Sequence, residues 1–251
     1  MIEYVTRAWN PLTGCKHGMD ICPTSDLCWA RGLSKRFTQI CRGDFTPRLH
    51  PDRLGAPYHW RKPQRAAVCF MGDLFGDWML HDEFRGIREE ILQVVRETSR
   101  HRYLFLTKSP RQLPMFNPWP SNAWVGISIT GAETPERQLE MVEYLGQVQG
   151  AGKRWVSFEP LLHFPDPDAL GSILDFADWV IIGGQSGKGR SITADFGELW
   201  DLSRIAHEPE QFLRPVCGPP RSLCPSRSIP IWQKNNLGHI LPTPLIQELP
   251  Q

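Results

Sequence analysis

Three cysteines stand within 14 residues near the start of the chain, in the segment WNPLTGCKHGMDICPTSDLCWARGLSKRF. Cys15, Cys22 and Cys28 follow a Cys-x6-Cys-x5-Cys spacing. Thiolates are the usual protein ligands of iron–sulfur clusters and of structural zinc. Structural zinc takes four ligands, often from paired Cys-x2-Cys knuckles, and here three thiols are close, with His17 available as a fourth. Three thiolates on a four-iron cluster leave one iron open to a reacting molecule. A helix beginning at Cys28 would turn its N-terminal amides toward the thiolates and stabilise their charge. Asn10 either hydrogen-bonds near this loop or forms the turn favoured by Pro11.

A second group of polar residues recurs where apolar runs stop. In parallel α/β folds the working residues lie at the C-terminal ends of strands. Those ends supply Gly72 and Asp73, Thr107 and Lys108, Ser128, Glu159, and Gly183-Gly184-Gln185-Ser186. Lys108 and Lys234 each end a strand and are the candidate catalytic residues. An ammonium at a barrel mouth suits an anionic substrate or a proton transfer, and a snorkelling surface lysine is the plain alternative. The run GGQSGKGR (183–190) is not a nucleotide-binding P-loop, because Ile182 and Gly189 stand where that motif needs Gly and Ser or Thr. Cys217 and Cys224 could ligate a second metal or form a redox pair, with unligated thiols the plainer reading, while Cys69 reads as a core residue and Cys41 has no companion at ligand spacing.

Short apolar runs alternate with helical patterns. Strands are expected at 66–72, 102–108, 123–129, 154–160, 179–185 and 229–234, with an earlier one around Tyr4 to Trp9. Helices are expected at 82–99, capped by Asp82, and at 135–147, opened by Thr134 and Pro135 and burying Leu139, Val142 and Leu145. Two more are expected from Cys28 to Phe37 and from Phe196 to about Ile205, and 207–228 reads as a long irregular loop. Strand–helix alternation implies a parallel sheet, either doubly wound or a complete or open barrel. A single domain over residues 1–251 is expected, with the cysteine loop at 10–30.

The 251 residues are 41% hydrophobic and 22% charged, the proportions of a folded globular chain, and the ten Trp favour an extensive core. No apolar run is long enough for a membrane span, and the N-terminus lacks a secretory pattern, so a cytoplasmic protein with free thiols is expected. The net charge is +1, yet nine Lys/Arg face two Asp between Arg31 and Arg65. That segment could meet a nucleic acid, or be a solvated basic surface.

The run WNPLTGC and the triplet Cys28-Trp29-Ala30 resemble a phage-associated family of radical S-adenosylmethionine-like proteins. The resemblance continues through HPDRLGAPYHWRKPQRAAVCFMGDLF, FLTKSP, WVGISI, SFEPLL, WVIIGGQSG and IPIWQKNNL, so it spans nearly the whole chain. A more distant similarity is to the spore photoproduct lyase group. The resemblance implies a partial (β/α)6 TIM-like barrel with parallel strands and outer helices, and a [4Fe–4S] cluster on Cys15, Cys22 and Cys28. It further implies S-adenosylmethionine as cofactor, with Gly72 and Asp73 at its amino and carboxylate groups. Ser128 and Glu159 would bind its ribose or amino acid moiety, and Gly183 and Gly184, followed by Gln185 and Ser186, would lie along its adenine. An electron donor such as a flavodoxin or ferredoxin is implied as partner. The chain departs from the family in placing five residues, not two, between Cys22 and Cys28, and in having Gln185 where relatives carry Glu. The alternatives are a zinc-stabilised nucleic-acid-binding protein without catalysis, and a degenerate barrel acting as a partner subunit.

Overall fold

The computed structural model describes residues 2–37, 44–84, 86–184, 229–234 and 247–250. The chain divides into two compact units, Met1–Ile127 with Gln147–Gly152, and Ser128–Gly146 with Lys153–Gln251.

In the first unit β1 (Arg7–Trp9) is followed by the short β2 (Leu12–Thr13), α1 (Trp29–Arg36), β3 (Arg48–Leu49) and α2 (Pro51–Leu54). Then come β4 (Arg65–Val68), α3 (Ile87–Glu97), β5 (Arg102–Thr107) and β6 (Ala123–Ser128). β1, β4, β5 and β6 lie side by side in that order, each pair parallel, while β2 and β3 form a separate antiparallel pair. The long strands are apolar because both faces are covered: Ala66, Ala67, Tyr103, Leu104 and Val125 are all wholly buried. β4 is shorter than its apolar run. Cys69 takes a left-handed φ of 56° and the Gly72 amide closes back on the Cys69 carbonyl at 2.9 Å, so 69–72 is a turn.

α3 buries Ile87, Ile91, Val94 and Val95 as its periodicity requires, but its start differs from expectation. Asp82 does not cap it. Residues Asp82–Phe84 wind into their own 3-10 turn, closed by the Phe84 amide on the His81 carbonyl at 3.0 Å. The chain then re-enters helix through Gly86, whose φ of 82° suits only glycine well, and Gly86 is the residue at the cap.

The second unit holds α4 (Pro135–Gly146), β7 (Lys153–Phe158), α5 (Pro167–Phe176), β8 (Trp179–Ile182) and β9 (Ile231–Gln233). β7, β8 and β9 are adjacent and parallel. The Thr134 hydroxyl accepts the Arg137 amide at 3.3 Å, the expected cap of α4. The buried face of α4 is Gln138, Met141, Val142 and Leu145, so Leu139 is a flank residue rather than core. Gln138 is buried because its amide group is used: it donates to the Glu133 carbonyl at 2.9 Å and accepts the Asp166 amide at 2.8 Å. α5 was not anticipated, although Asp166 caps it by accepting the Asp168 and Ala169 amides at 3.0 Å, ahead of Pro167 at the first position.

Within each unit the strands lie in chain order, with no reversal of the kind a doubly wound sheet needs. The fold is α/β with parallel strands and intervening helices, wound as in a partial (β/α)6 barrel. Among the described residues no helix is long and apolar enough to cross a membrane. The helix expected at 196–205 and the loop at 207–228 lie outside the described residues.

Candidate functional site

The cysteine loop leaves β1 and is pinned at once. Asn10 accepts the Met71 amide through Oδ1 at 3.2 Å, so its side chain joins the loop to the turn after β4. Gly14 sits at φ +90° and donates to the Met71 carbonyl at 2.8 Å. Gly14 and Gly72 bridge in parallel so closely that a Cβ on Gly72 would stand 2.4 Å from the Gly14 carbonyl oxygen. A side chain on Gly72 would push the loop off the sheet.

Cys15 follows, its amide on the Phe45 carbonyl at 2.9 Å and its Sγ accepting the His17 amide at 3.4 Å. Cys22 is buried, with Sγ 3.5 Å from the Thr24 hydroxyl. Cys28 stands at the N-cap of α1. Cys15 and Cys28 pack on one apolar patch of Ala30, Phe45 and Met71. Burial, then the charge of Asp73, pushes the Cys15 thiol well above its ordinary value, and Cys22 and Cys28 add to that push. All three thiols are free of disulfides. Among the described residues no three His, Cys, Asp or Glu side chains close into a ligand shell. As a donor set they suit an iron–sulfur cluster: three free thiols on one loop, two of them against a common apolar patch.

Beside the loop lies an arrangement that the sequence does not announce. Asp73 is buried, and its carboxylate accepts from His17 Nε2 at 2.9 Å, the Phe75 amide at 2.9 Å and the Lys108 amide at 3.1 Å. The Thr107 hydroxyl donates to both oxygens, at 2.8 and 2.9 Å. Burial alone raises the Asp73 carboxyl, but the hydrogen bond and charge of His17, with the Phe75 amide and Thr107, outweigh it and hold the group below the ordinary carboxylate range. His17 is itself buried and meets the Trp78 ring edge-on at 4.7 Å. The Trp78 indole N–H is buried with no hydrogen-bond partner among the described residues, a donor that a ligand's acceptor could use. Lys108 thus enters this group through its backbone.

The second unit gathers the other expected residues. Register places Glu159, Gly183 and Lys234 in one row just past the ends of β7, β8 and β9. Lys234 Nζ pairs with the Glu159 carboxylate, and the pair passes over Gly183, where a Cβ would meet Lys234 Cδ at 2.9 Å. The buried Ser128 hydroxyl donates to the Glu159 carbonyl at 3.2 Å. Gly184 is buried beside this row. Gln185, Ser186, Cys41, Cys217 and Cys224 lie outside the described residues. The Glu159–Lys234 pairing, like His17–Asp73, joins positions far apart in sequence, and the one local hint was a charged residue placed at a strand end.

The basic segment 31–65 is partly turned inward. Arg31 lies over the Phe45 ring at 5.9 Å, Arg53 reaches the Asn10 carbonyl at 3.5 Å, and Arg65 reaches the Tyr4 carbonyl at 3.2 Å. Lys35, Arg36, Arg61 and Lys62 are exposed.

Fold and site together define a singly wound parallel α/β protein that carries a three-cysteine loop after its first strand. The chain belongs to the family described as "Protein of unknown function (DUF5131)", whose model matches residues 1–199. No curated protein matches the chain. Two solved structures resemble it. One is a cysteine-to-serine variant of spore photoproduct lyase, at 12% identity and a TM-score of 0.47, covering 70% of this chain and 55% of that one. The other is a double variant of that enzyme with bound AdoMet and dinucleoside spore photoproduct, at 12% identity and a TM-score of 0.48, covering 78% of this chain and 59% of that one. The chain therefore spans 55–59% of the length of these structures.

Proposed function

We propose that Cys15, Cys22 and Cys28 hold a [4Fe–4S] cluster and that the protein cleaves S-adenosylmethionine reductively. The observation that carries this reading is the presence of three free thiols on the loop that follows β1, with Cys15 and Cys28 packed on one apolar patch. The indole N–H of Trp78 beside that loop supports it: it has no acceptor among the described residues, and a buried donor costs free energy unless something such as a ligand supplies one. Held by Cys15, Cys22 and Cys28, the cluster would supply one-electron chemistry to a bound S-adenosylmethionine, whose reductive cleavage would serve hydrogen abstraction from a substrate.

The chain's own residues bind and orient. Gly72 lets the loop lie against the sheet, and the amide groups about Asp73 fix the strand ends beside it. In the second unit Ser128, Glu159, Gly183 and Gly184, followed by Gln185 and Ser186, are assigned to the cofactor's ribose, amino acid and adenine parts. Lys108 and Lys234 are assigned to an anionic substrate or to proton transfer, with Glu159 fixing the Lys234 ammonium. The exposed lysines and arginines of 31–65 favour a nucleic acid or nucleotide substrate. A flavodoxin- or ferredoxin-type donor would supply the electron, in a cytoplasm that keeps the thiols reduced.

The test is anaerobic reconstitution followed by dithionite reduction with S-adenosylmethionine. Formation of 5′-deoxyadenosine by the native protein and not by Cys28→Ala supports the proposal. A cluster-loaded native protein that leaves the cofactor intact refutes the catalytic part, and favours a barrel serving as a partner subunit. One observation favours a second reading, structural zinc. Metal-bound imidazoles commonly give their other ring nitrogen to a carboxylate, as His17 does to Asp73. Tight zinc without sulfide would establish that reading instead.

A further inference from the structure

His17 lies two residues after Cys15 and holds two bonds at once. Its backbone N–H donates to Cys15 Sγ at 3.4 Å, and its Nε2 reaches Asp73 at 2.9 Å. An ionised carboxylate only accepts, so Nε2 carries the proton. The ring is buried and is held from the side by the edge contact with Trp78. Asp73 in turn joins three segments: the cysteine loop through His17, the turn after β4 through Phe75, and the end of β5 through Thr107 and the Lys108 amide.

We propose that His17 is a positioning residue for Cys15: by latching onto Asp73 it fixes the direction of the Cys15 sulfur and keeps the cysteine loop closed on the sheet. The proposal rests on the cluster reading only in taking Cys15 as a ligand. The asymmetry of the network makes it specific. With the His17 bond removed, Asp73 keeps the Phe75 and Lys108 amides and the Thr107 hydroxyl, so the strand ends stay joined. The loop loses the bond that continues from Cys15 through His17 to the sheet. Removal should therefore loosen the loop and leave the core intact.

The test reads the metal-free, reduced chain. Alkylation by iodoacetamide is followed at Cys15 and at the wholly buried Cys69 by mass spectrometry. The proteins compared are the native chain, His17→Ala, His17→Phe, which keeps a ring against Trp78 without the N–H, and His17→Gln, whose amide nitrogen can replace Nε2. Cys15 should react about tenfold faster in the Ala and Phe variants, the scale expected when a charge-assisted bond closing a local segment is lost. His17→Gln should restore the native rate, and Cys69 should be unchanged throughout. The proposal is overturned if Cys15 is not accelerated, if Cys69 accelerates in step with it, or if Gln does not restore protection. Iron content after reconstitution is measured in parallel. A native chain that takes up no iron defeats the cluster reading, while the alkylation result still decides the latch.

Discussion

At Gly72 a single hydrogen separates a loop that meets the sheet from one that cannot. A methyl group there would collide with the Gly14 carbonyl, which is backbone and has no rotamer to retreat to. Gly72→Ala should therefore cost about 2 kcal/mol or more in denaturant unfolding. Gly183→Ala should cost about 1 kcal/mol or less, because its nearest obstacle is the flexible stem of Lys234. Asp73 predicts a pH effect. Its folded-state pKa is depressed, so its stabilisation is fully present above the ordinary value of 3.8 and is lost as pH falls through the lower folded value. Between about pH 4 and pH 2 the native chain should lose more stability than Asp73→Asn, measured by thermal unfolding across that range. Equal losses would mean that the carboxylate is not held by its bonds. The cysteines were legible because their meaning lies in local spacing. The bonds that orient them were not, because His17–Asp73 and Glu159–Lys234 join residues 56 and 75 positions apart, and no sequence pattern records which side chains meet across a fold.

Among the elements, β4 through β8 and the helices α3 and α4 were legible from apolar runs and helical periodicity, to within a few residues at their ends. Their boundaries shifted where backbone geometry intervened, at the left-handed Cys69 after β4 and at Gly86 before α3. The caps give a direct comparison. Asp166→Ala should destabilise the protein by about 1 kcal/mol, since it removes the acceptor of two amides. Asp82→Ala should cost less than Asp166→Ala, since Asp82 does not cap α3. Chemical denaturation of both variants checks the reassigned helix start, and a larger loss for Asp82→Ala would contradict it. α5 escaped notice although Asp166-Pro167-Asp168 carries a full start signal, because the residues after it, ALGSILDF, read equally as an apolar run.

On the scale of the whole molecule, composition left the winding open and strand adjacency resolved it. In each unit taken by itself, parallel strands laid down in chain order bring the strands' C-terminal ends to one side of that unit. The near-neutral net charge conceals a basic stretch, part of which the chain spends on its own aromatic ring and carbonyls. Belonging to the DUF5131 family fixes the chain's relations over residues 1–199, and the chemistry has to be read from the thiols themselves. The most direct test is the iron, acid-labile sulfide and zinc content of protein purified and reconstituted without oxygen. The account predicts about four iron and about four sulfide per native chain, with cluster absorbance abolished in a Cys15→Ala, Cys22→Ala, Cys28→Ala triple variant. Stoichiometric zinc without sulfide, or iron and sulfide undiminished in that variant, would contradict it.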